Sequence, residues 1–411
     1  MVVYFAGMRS RRTQIWLPLT LLTGAACPDP TCPSGTRFLH GACIAEAETE
    51  TDASGDTDTD TDADSDTDAD TDADTDVTTG PWTGPMMFRS DVARTGVYPG
   101  KAPSLGEVVW TAPIGAACST PSISEGRVYL ATDLATVYAL DLATGAELWS
   151  FEADGPVGPP AVDNGRVVFG DRRNNMYGLS AATGELLWRT IFENDCGPVA
   201  LDADAVTVVC GSLYVLDPAD GQTITSVVIE DGDVLQGVTV LPTLWVLGDG
   251  PLRGYSRTDS TELWSASLAN TTATGASDGE TVFVPTLSGM VAIGTNQGGI
   301  VWSEDAFATL DSVSPALADG VVYFATTRGL RAREALGGTE LWTSLLADQP
   351  IGGIAVAGDV AFAADASGTV HAISRADGVV RWSLPTGACA GPALADGTLL
   401  VGTPGGLTAV Q

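Results

Sequence analysis

From about residue 107 onward, short apolar runs alternate with turn residues at a steady rhythm. Pro160-Ala161-Val162 reads as a first strand, Asp163-Asn164-Gly165 is a turn of residue types that tolerate positive φ, and Arg166 to Gly170 reads as a second strand. Met176 to Leu179 and Leu186 to Ile191 follow, with Thr183-Gly184 as a tight turn between them. Short runs bounded by Gly, Asn and Asp read as strands, because helices need longer periodic segments. The pattern predicts four strands in each unit of roughly 40 residues, which is a propeller blade.

The unit repeats. Ala139–Trp149 (ALDLATGAELW) returns as Gly178–Trp188 (GLSAATGELLW) and as Ala372–Trp382 (AISRADGVVRW). Further copies end at Trp264, Trp302 and Trp342, and Trp110 belongs to the same series. A degenerate copy, Leu216 to Gly221, puts Thr225 in the tryptophan place. The recurring Trp suits a large plate between neighbouring blades, with an N–H able to find a partner. Trp110, Trp149, Trp188, Trp264, Trp302, Trp342 and Trp382 are therefore the expected inter-blade residues. After Trp382 the chain supplies three strands: Gly391 to Leu394, Leu399 to Gly402 and Leu407 to Val410. Glu107 to Thr111 supplies the missing fourth. The expected fold is all-β, an eight-bladed β-propeller of four-stranded blades spanning 107–411, its last blade closed by the N-terminal strand. Such closure removes open sheet edges.

The recurring set Ala139, Asp141, Thr144, Gly145 and Trp149 resembles the pyrroloquinoline-quinone-repeat family of propellers. WD40 repeats are disfavoured by the missing Gly-His and Trp-Asp pairs, and kelch repeats by the period.

Ahead of the propeller the chain has a different character. Arg9, Arg11 and Arg12 precede an apolar run from Ile15 to Ala26, too short to span a bilayer. This is the layout of a signal peptide, assigned to 1–26. Gly24-Ala25-Ala26 before Cys27 resembles a bacterial lipobox, which implies lipidation at Cys27, although Gly24 stands where the usual Leu is expected. A small cysteine-containing segment (27–45), an acidic linker (46–80) and a lead-in segment (81–106) follow. Residues 46–76 carry 15 acids and no base. Nothing there can bury apolar area against the entropy of ordering, so the linker is expected to be disordered and extended. Alternating Asp also suggests calcium loops, but the glycine of the sharp turn and the distal bidentate carboxylate are not in register.

Taking those 15 acids from the formal charge of −33 leaves −18 for the rest of the chain. So acidic a protein has no generic nucleic-acid surface, since phosphate contacts need Lys and Arg, and it should stay soluble and monomeric.

With Cys27 set aside, six cysteines remain, an even number suited to an oxidising compartment. Cys32 and Cys43 flank a glycine-containing stretch and would close a small loop. Cys196 and Cys210 lie equally far from residue 203, where a hairpin would set them face to face. Cys118 and Cys389 each lie three residues before a strand-opening proline, Pro121 and Pro392, in blades that are ring neighbours. Disulfides are expected at both pairs, the alternative being four buried free thiols.

The candidate chemistry is thin. The two histidines, His40 and His371, are far apart and accompany no paired-cysteine spacing, which argues against zinc. His371 falls on a third strand, where a packed or rim residue is expected. Arg172-Arg173 offers a local anion contact or a solvated loop. The family resemblance implies two lines of function. Eight blades behind a lipoprotein-type signal are similar to the BamB-like members, accessory lipoproteins of the outer-membrane β-barrel assembly machinery, and that machinery is the partner so implied. Quinone-cofactor dehydrogenases of the family use a cofactor sandwiched in the tunnel, often a disulfide between adjacent cysteines, a calcium ion and a catalytic Asp. This chain has no adjacent cysteine pair. The expectation is a non-catalytic binding or scaffold propeller without cofactor or metal. It would be exported and lipid-anchored to the outer membrane, facing the periplasm or the cell surface. A pyrroloquinoline-quinone-binding protein and a stalked cell-surface recognition domain are the alternatives.

Overall fold

The computed structural model describes residues 36–39, 42–45 and 90–411, apart from 116, 133, 230–237, 249–250, 269–270, 272, 274 and 305–312. Cys27, Cys32, His40 and the acidic linker lie outside the described residues. In the N-terminal unit, Thr36–Leu39 pairs antiparallel with Ala42–Ala45, the strand that contains Cys43.

In the second unit, eight four-stranded antiparallel sheets follow one another. Blade 2 is representative: Ala161–Asp163, Arg166–Gly170, Asn175–Ser180 and Leu186–Ile191 pair in chain order. The other complete blades span 122–152, 200–227, 238–267, 276–304, 316–345 and 350–385. Blade 8 takes Ala393–Ala395, Thr398–Thr403 and Gly406–Val410 from the C-terminus, and Val108–Ala112 as its outer strand. Glu107 and Gln411 exchange backbone hydrogen bonds at 2.9 Å in both directions, standing in for the missing covalent turn. First strands meet the first strands of neighbouring blades, blade 8 meeting blade 1, so they form the inner wall of a closed ring. Expected strand limits shift by only a residue or two; the closing strand, for example, is Val108–Ala112, not Glu107 to Thr111.

The core lies between blades. Second- and third-strand residues such as Val128, Leu140, Phe169, Phe283 and Phe362 are essentially inaccessible. The fourth-strand tryptophans bridge the seams. The Trp149 indole N–H donates to the Ala181 carbonyl of blade 2 at 3.0 Å, Trp188 to Pro218 of blade 3 at 2.9 Å, and Trp342 to Arg375 of blade 7 at 2.8 Å. Trp110 joins blade 8 to blade 1 through the Leu142 carbonyl at 3.1 Å. Each ring lies flat on the glycine of the next blade's outer turn. A Cβ on Gly184 would stand 2.7 Å from Trp149, and one on Gly145 would stand 2.5 Å from Trp110. Blade 8 has no covalent turn there, and Gly106 of the lead-in takes the place, 2.8 Å from Trp382 by the same measure. The seam between blades 3 and 4 breaks the rule on both sides. Thr225 replaces the tryptophan, and Ser260, with φ of 62°, replaces the glycine. Without an indole to clear, a side chain is tolerated.

Between blades 5 and 6 the buried Glu304 carboxylate pairs with Arg331 and Arg333. Burying a carboxylate is costly unless it is paired, and two guanidiniums meet that need.

Candidate functional site

Strand alternation puts first-to-second and third-to-fourth turns on one face of the ring. The second-to-third turns and the connections between blades lie on the other. The lead-in crosses the first face over blades 4 to 7. Residues 90–98 run across the inner wall as a strap, and carbonyls of Val92, Ala93, Thr95 and Gly96 accept hydrogen bonds from the amides of Val240, Ser277, Leu317 and Val356 in blades 4 to 7, at 2.8–3.0 Å. The Tyr98 amide returns a bond to the Val356 carbonyl at 2.8 Å. Arg94 is fully buried, with φ of 60°. Its guanidinium donates to Val238 O at 3.2 Å and to Val199 O at 3.1 Å, joining blades 4 and 3. Asp91 caps the strap by accepting from the Thr95 amide at 3.0 Å and from the Thr95 hydroxyl.

The second face is open over blades 7, 8, 1, 2 and 3. There the channel widens into a cup of roughly 490 Å³ lined by Ser119, Gly158, Asp171, Arg172, Gly197 and Gly391, among others. Both disulfides border it. Cys118–Cys389 joins the first and last blades with a Cα–Cα distance of 5.1 Å, and Cys196–Cys210 ties a blade connection to the end of a second strand in blade 3. Arg172 is exposed on the cup's wall, beside the buried Asp171.

His371 has partners that sequence reading did not find. Its Nε2 lies 2.8 Å from Asp365 Oδ2, and its Nδ1 lies 2.8 Å from Ser383 Oγ. The connectivity is that of a nucleophile, a base and an orienting carboxylate. Blade 2 explains it differently. Asp171, at the same turn, accepts from the Asn175 amide and, six residues on, from the Tyr177 hydroxyl at 3.0 Å, while Arg189 lies opposite Tyr177 on the outer strand. Asp365 likewise accepts from the Thr369 amide and from His371, opposite Ser383. Each is a turn-capping aspartate stapled to the third strand, and tyrosine fills the histidine's position without serving as a base. Ser383 is exposed on the outer strand and does not line the cup. Burial pushes the Asp365 carboxyl up, but bonds from Ser367, His371 and the Thr369 amide outweigh it and hold it below the usual aspartate range. For Asp171 the Asn175, Arg173 and Tyr177 donors outweigh burial in the same way. Burial pushes Tyr129 up to about 12, so its hydroxyl remains a donor to Ala181 O in blade 2.

A family model described as "Outer membrane protein assembly factor BamB" matches residues 101–243, 248–391 and 327–410. The chain belongs to the BamB-like PQQ-repeat propeller family. Among solved structures, BamB from Moraxella catarrhalis superimposes with a TM-score of 0.62 at 15% identity, covering 74% of this chain and 99% of that one. Quinohemoprotein alcohol dehydrogenase from Comamonas testosteroni gives 0.64 at 13% identity, covering 81% of this chain and 80% of the enzyme. The computationally designed Ika8 protein gives 0.66 at 16%, covering 74% of this chain and 99% of the design. At these identities the likenesses show the fold alone. Nothing matches among the curated protein sequences.

The PQQ-repeat family includes quinone enzymes. A flat, polyanionic quinone calls for stacking surfaces and several cationic partners. The described lining holds no aromatic ring and one arginine, Arg172, next to Asp171. The bordering disulfides join distant cysteines, not neighbours in sequence. Among the described residues, no three His, Cys, Asp or Glu side chains converge as a metal site. The cup does not fit the quinone.

Proposed function

We propose that this chain is a non-catalytic, membrane-tethered binding propeller, exported on the 1–26 signal and lipid-anchored through Cys27 to the outer membrane. In its sharpest form it serves outer-membrane protein assembly, with the β-barrel assembly machinery as its partner. The observation carrying the reading is the cup: on one face residues of the chain itself cross the channel over blades 4 to 7, and on the other the open mouth offers backbone and small side chains in place of cofactor-holding groups. The stalked recognition reading draws separate support from the 15 acids of residues 46–76, which would hold the propeller away from a membrane surface.

Pull-down of the lipidated protein from cells, with proteolysis of intact cells in parallel, tests both. Recovery of the assembly machinery with a protease-protected propeller supports the first. Rapid cleavage in the acidic linker on intact cells, without assembly partners, supports the stalk. A quinone-and-calcium titration producing a bound-cofactor absorbance band would refute a non-catalytic role.

A further inference from the structure

The strap reveals what the inner wall of this ring binds. In an antiparallel hairpin alternate residues bond to the neighbouring strand, and the others point their amides away from it. Val356 is one such residue, immediately before the closing pair Ala357–Val360, and Leu317 precedes the closing pair Ala318–Val321. Both donate to strap carbonyls. The equivalent residues in blades 8, 1 and 2 are Leu394, before Ala395–Thr398; Ile123, before Ser124–Arg127; and Val162, before Asp163–Arg166. Their amides face the channel by the same register. Among the described residues, none of these three amides has a main-chain partner. The strap therefore occupies one arc of a ring of donors, and no described residue takes up the arc beneath the cup. Gly391, Thr120 and Pro159 of the cup lining stand three residues ahead of these amides, about 10 Å away along the inner strands.

We infer that the cup admits an extended polypeptide segment of a partner protein, whose carbonyl oxygens take up the inward amides of Leu394, Ile123 and Val162 as the strap takes up those of blades 4 to 7. This rests on the binding-propeller reading and names the surface and chemistry of its partner. Three features favour a main chain over a compact ligand. The chain's own residues 92–98 are seated in that mode on the same ring. The cup wall is poor in side chains, with glycines at 158, 170, 197, 352 and 391, so a backbone can approach closely. Each inward amide is an unpaired main-chain donor, which the carbonyl of an extended segment satisfies directly.

Amide hydrogen exchange of the full chain is the test, with the capped heptapeptide of the strap's own sequence (VARTGVY) as probe. Without peptide, Val240, Ser277, Leu317 and Val356 should be protected, and Leu394, Ile123 and Val162 should exchange at least about tenfold faster. Saturating peptide should slow those three by about tenfold and leave the other four unchanged. Gly158→Trp should abolish the slowing with no change in unfolding midpoint, since a Cβ there meets nothing nearer than Gly170 O at 3.8 Å and the indole would fill the cup. Equal protection of all seven amides without peptide would show the arc is already filled and overturn the inference. So would a peptide that leaves the three amides unchanged, or binding indifferent to Gly158→Trp. Recovery of a cellular partner alongside any of these failures would leave the binding reading standing and remove only the cup.

Discussion

The seam between blades 3 and 4 offers a sharp test of how the ring is held. At the other seams an indole lies on a glycine whose Cβ would stand 2.4–2.8 Å from ring atoms, too close to coexist. Thr225 and Ser260 depart from that pattern together, so they should be coupled. Thr225→Trp alone drives an indole into the Ser260 Cβ, an overpacking that costs about 1–3 kcal/mol. Ser260→Gly alone should be close to neutral, because relief of its left-handed φ is offset by the extra freedom of glycine in the unfolded chain. With Val215, which stands opposite Thr225 where the seam tryptophans face Gly or Ala, replaced by Ala in all four proteins, the pair together should stabilise. A buried Trp hides about 150–250 Å², worth about 4–6 kcal/mol before lost rotamer freedom and the displaced Thr contacts are subtracted. A net gain of about 1–2 kcal/mol is expected. The Arg257 carbonyl holds the position of the indole acceptors in the other seams, and a cavity of roughly 470 Å³ bordered by Ser226, Tyr255 and Ser260 gives room. Urea unfolding of the four proteins, disulfides intact, measures the cycle. A coupling near 3 kcal/mol is predicted. Additivity within about 0.5 kcal/mol would refute the plate-on-glycine account of the seams.

Replacing Arg94 with Leu should lower stability by about 2–4 kcal/mol, read as a reduced urea midpoint, because Val199 O and Val238 O lose a buried charged donor. Cys118→Ser with Cys389→Ser frees a loop of sequence separation 271, and chain entropy puts the loss at up to about 5 kcal/mol; denaturant unfolding beside a reduced wild type checks it. The Asp365 carboxyl is held below its ordinary value of 3.8, so its stabilisation is complete above that value and fades as pH falls through the depressed folded one. Asp365→Asn should therefore be less stable than wild type at neutral pH, with the gap closing in acid; a gap that widens below pH 3.8 would contradict the staple.

The blades were legible because each repeats a short grammar of turn glycine, apolar strand and tryptophan, and because the Trp110 copy stands alone at the N-terminal end of the series. Eight sheets and their closure by Val108–Ala112 follow from that arithmetic. The positions of Cys118 and Cys389 before equivalent prolines were visible for the same reason, as repeats aligned on one another. The strap was not legible. Residues 90–98 carry no repeat and little apolar periodicity, and their hydrogen bonds to the blades span about 105 to 260 residues of sequence. Arg94 reads as a surface charge until those carbonyls surround it. The Asp365–His371–Ser383 chain was hidden because its partners lie across two strand pairings, although Asp171 and Asp365 at matching repeat positions held the clue. The loss of glycine at Ser260 opposite Thr225 could have been found by aligning copies one blade apart.

The account stands most directly on which face of the ring meets a partner. A photo-crosslinking amino acid placed at Arg172 on the cup wall, or at Leu336, 89% exposed on an outer turn of the strap-side face, separates the two in cells expressing the full chain. The prediction is crosslinking from position 172 to an extended segment of a partner protein, mapped by mass spectrometry, with no specific product from position 336. Specific products from position 336 alone would place recognition on the strap-side face and contradict the account.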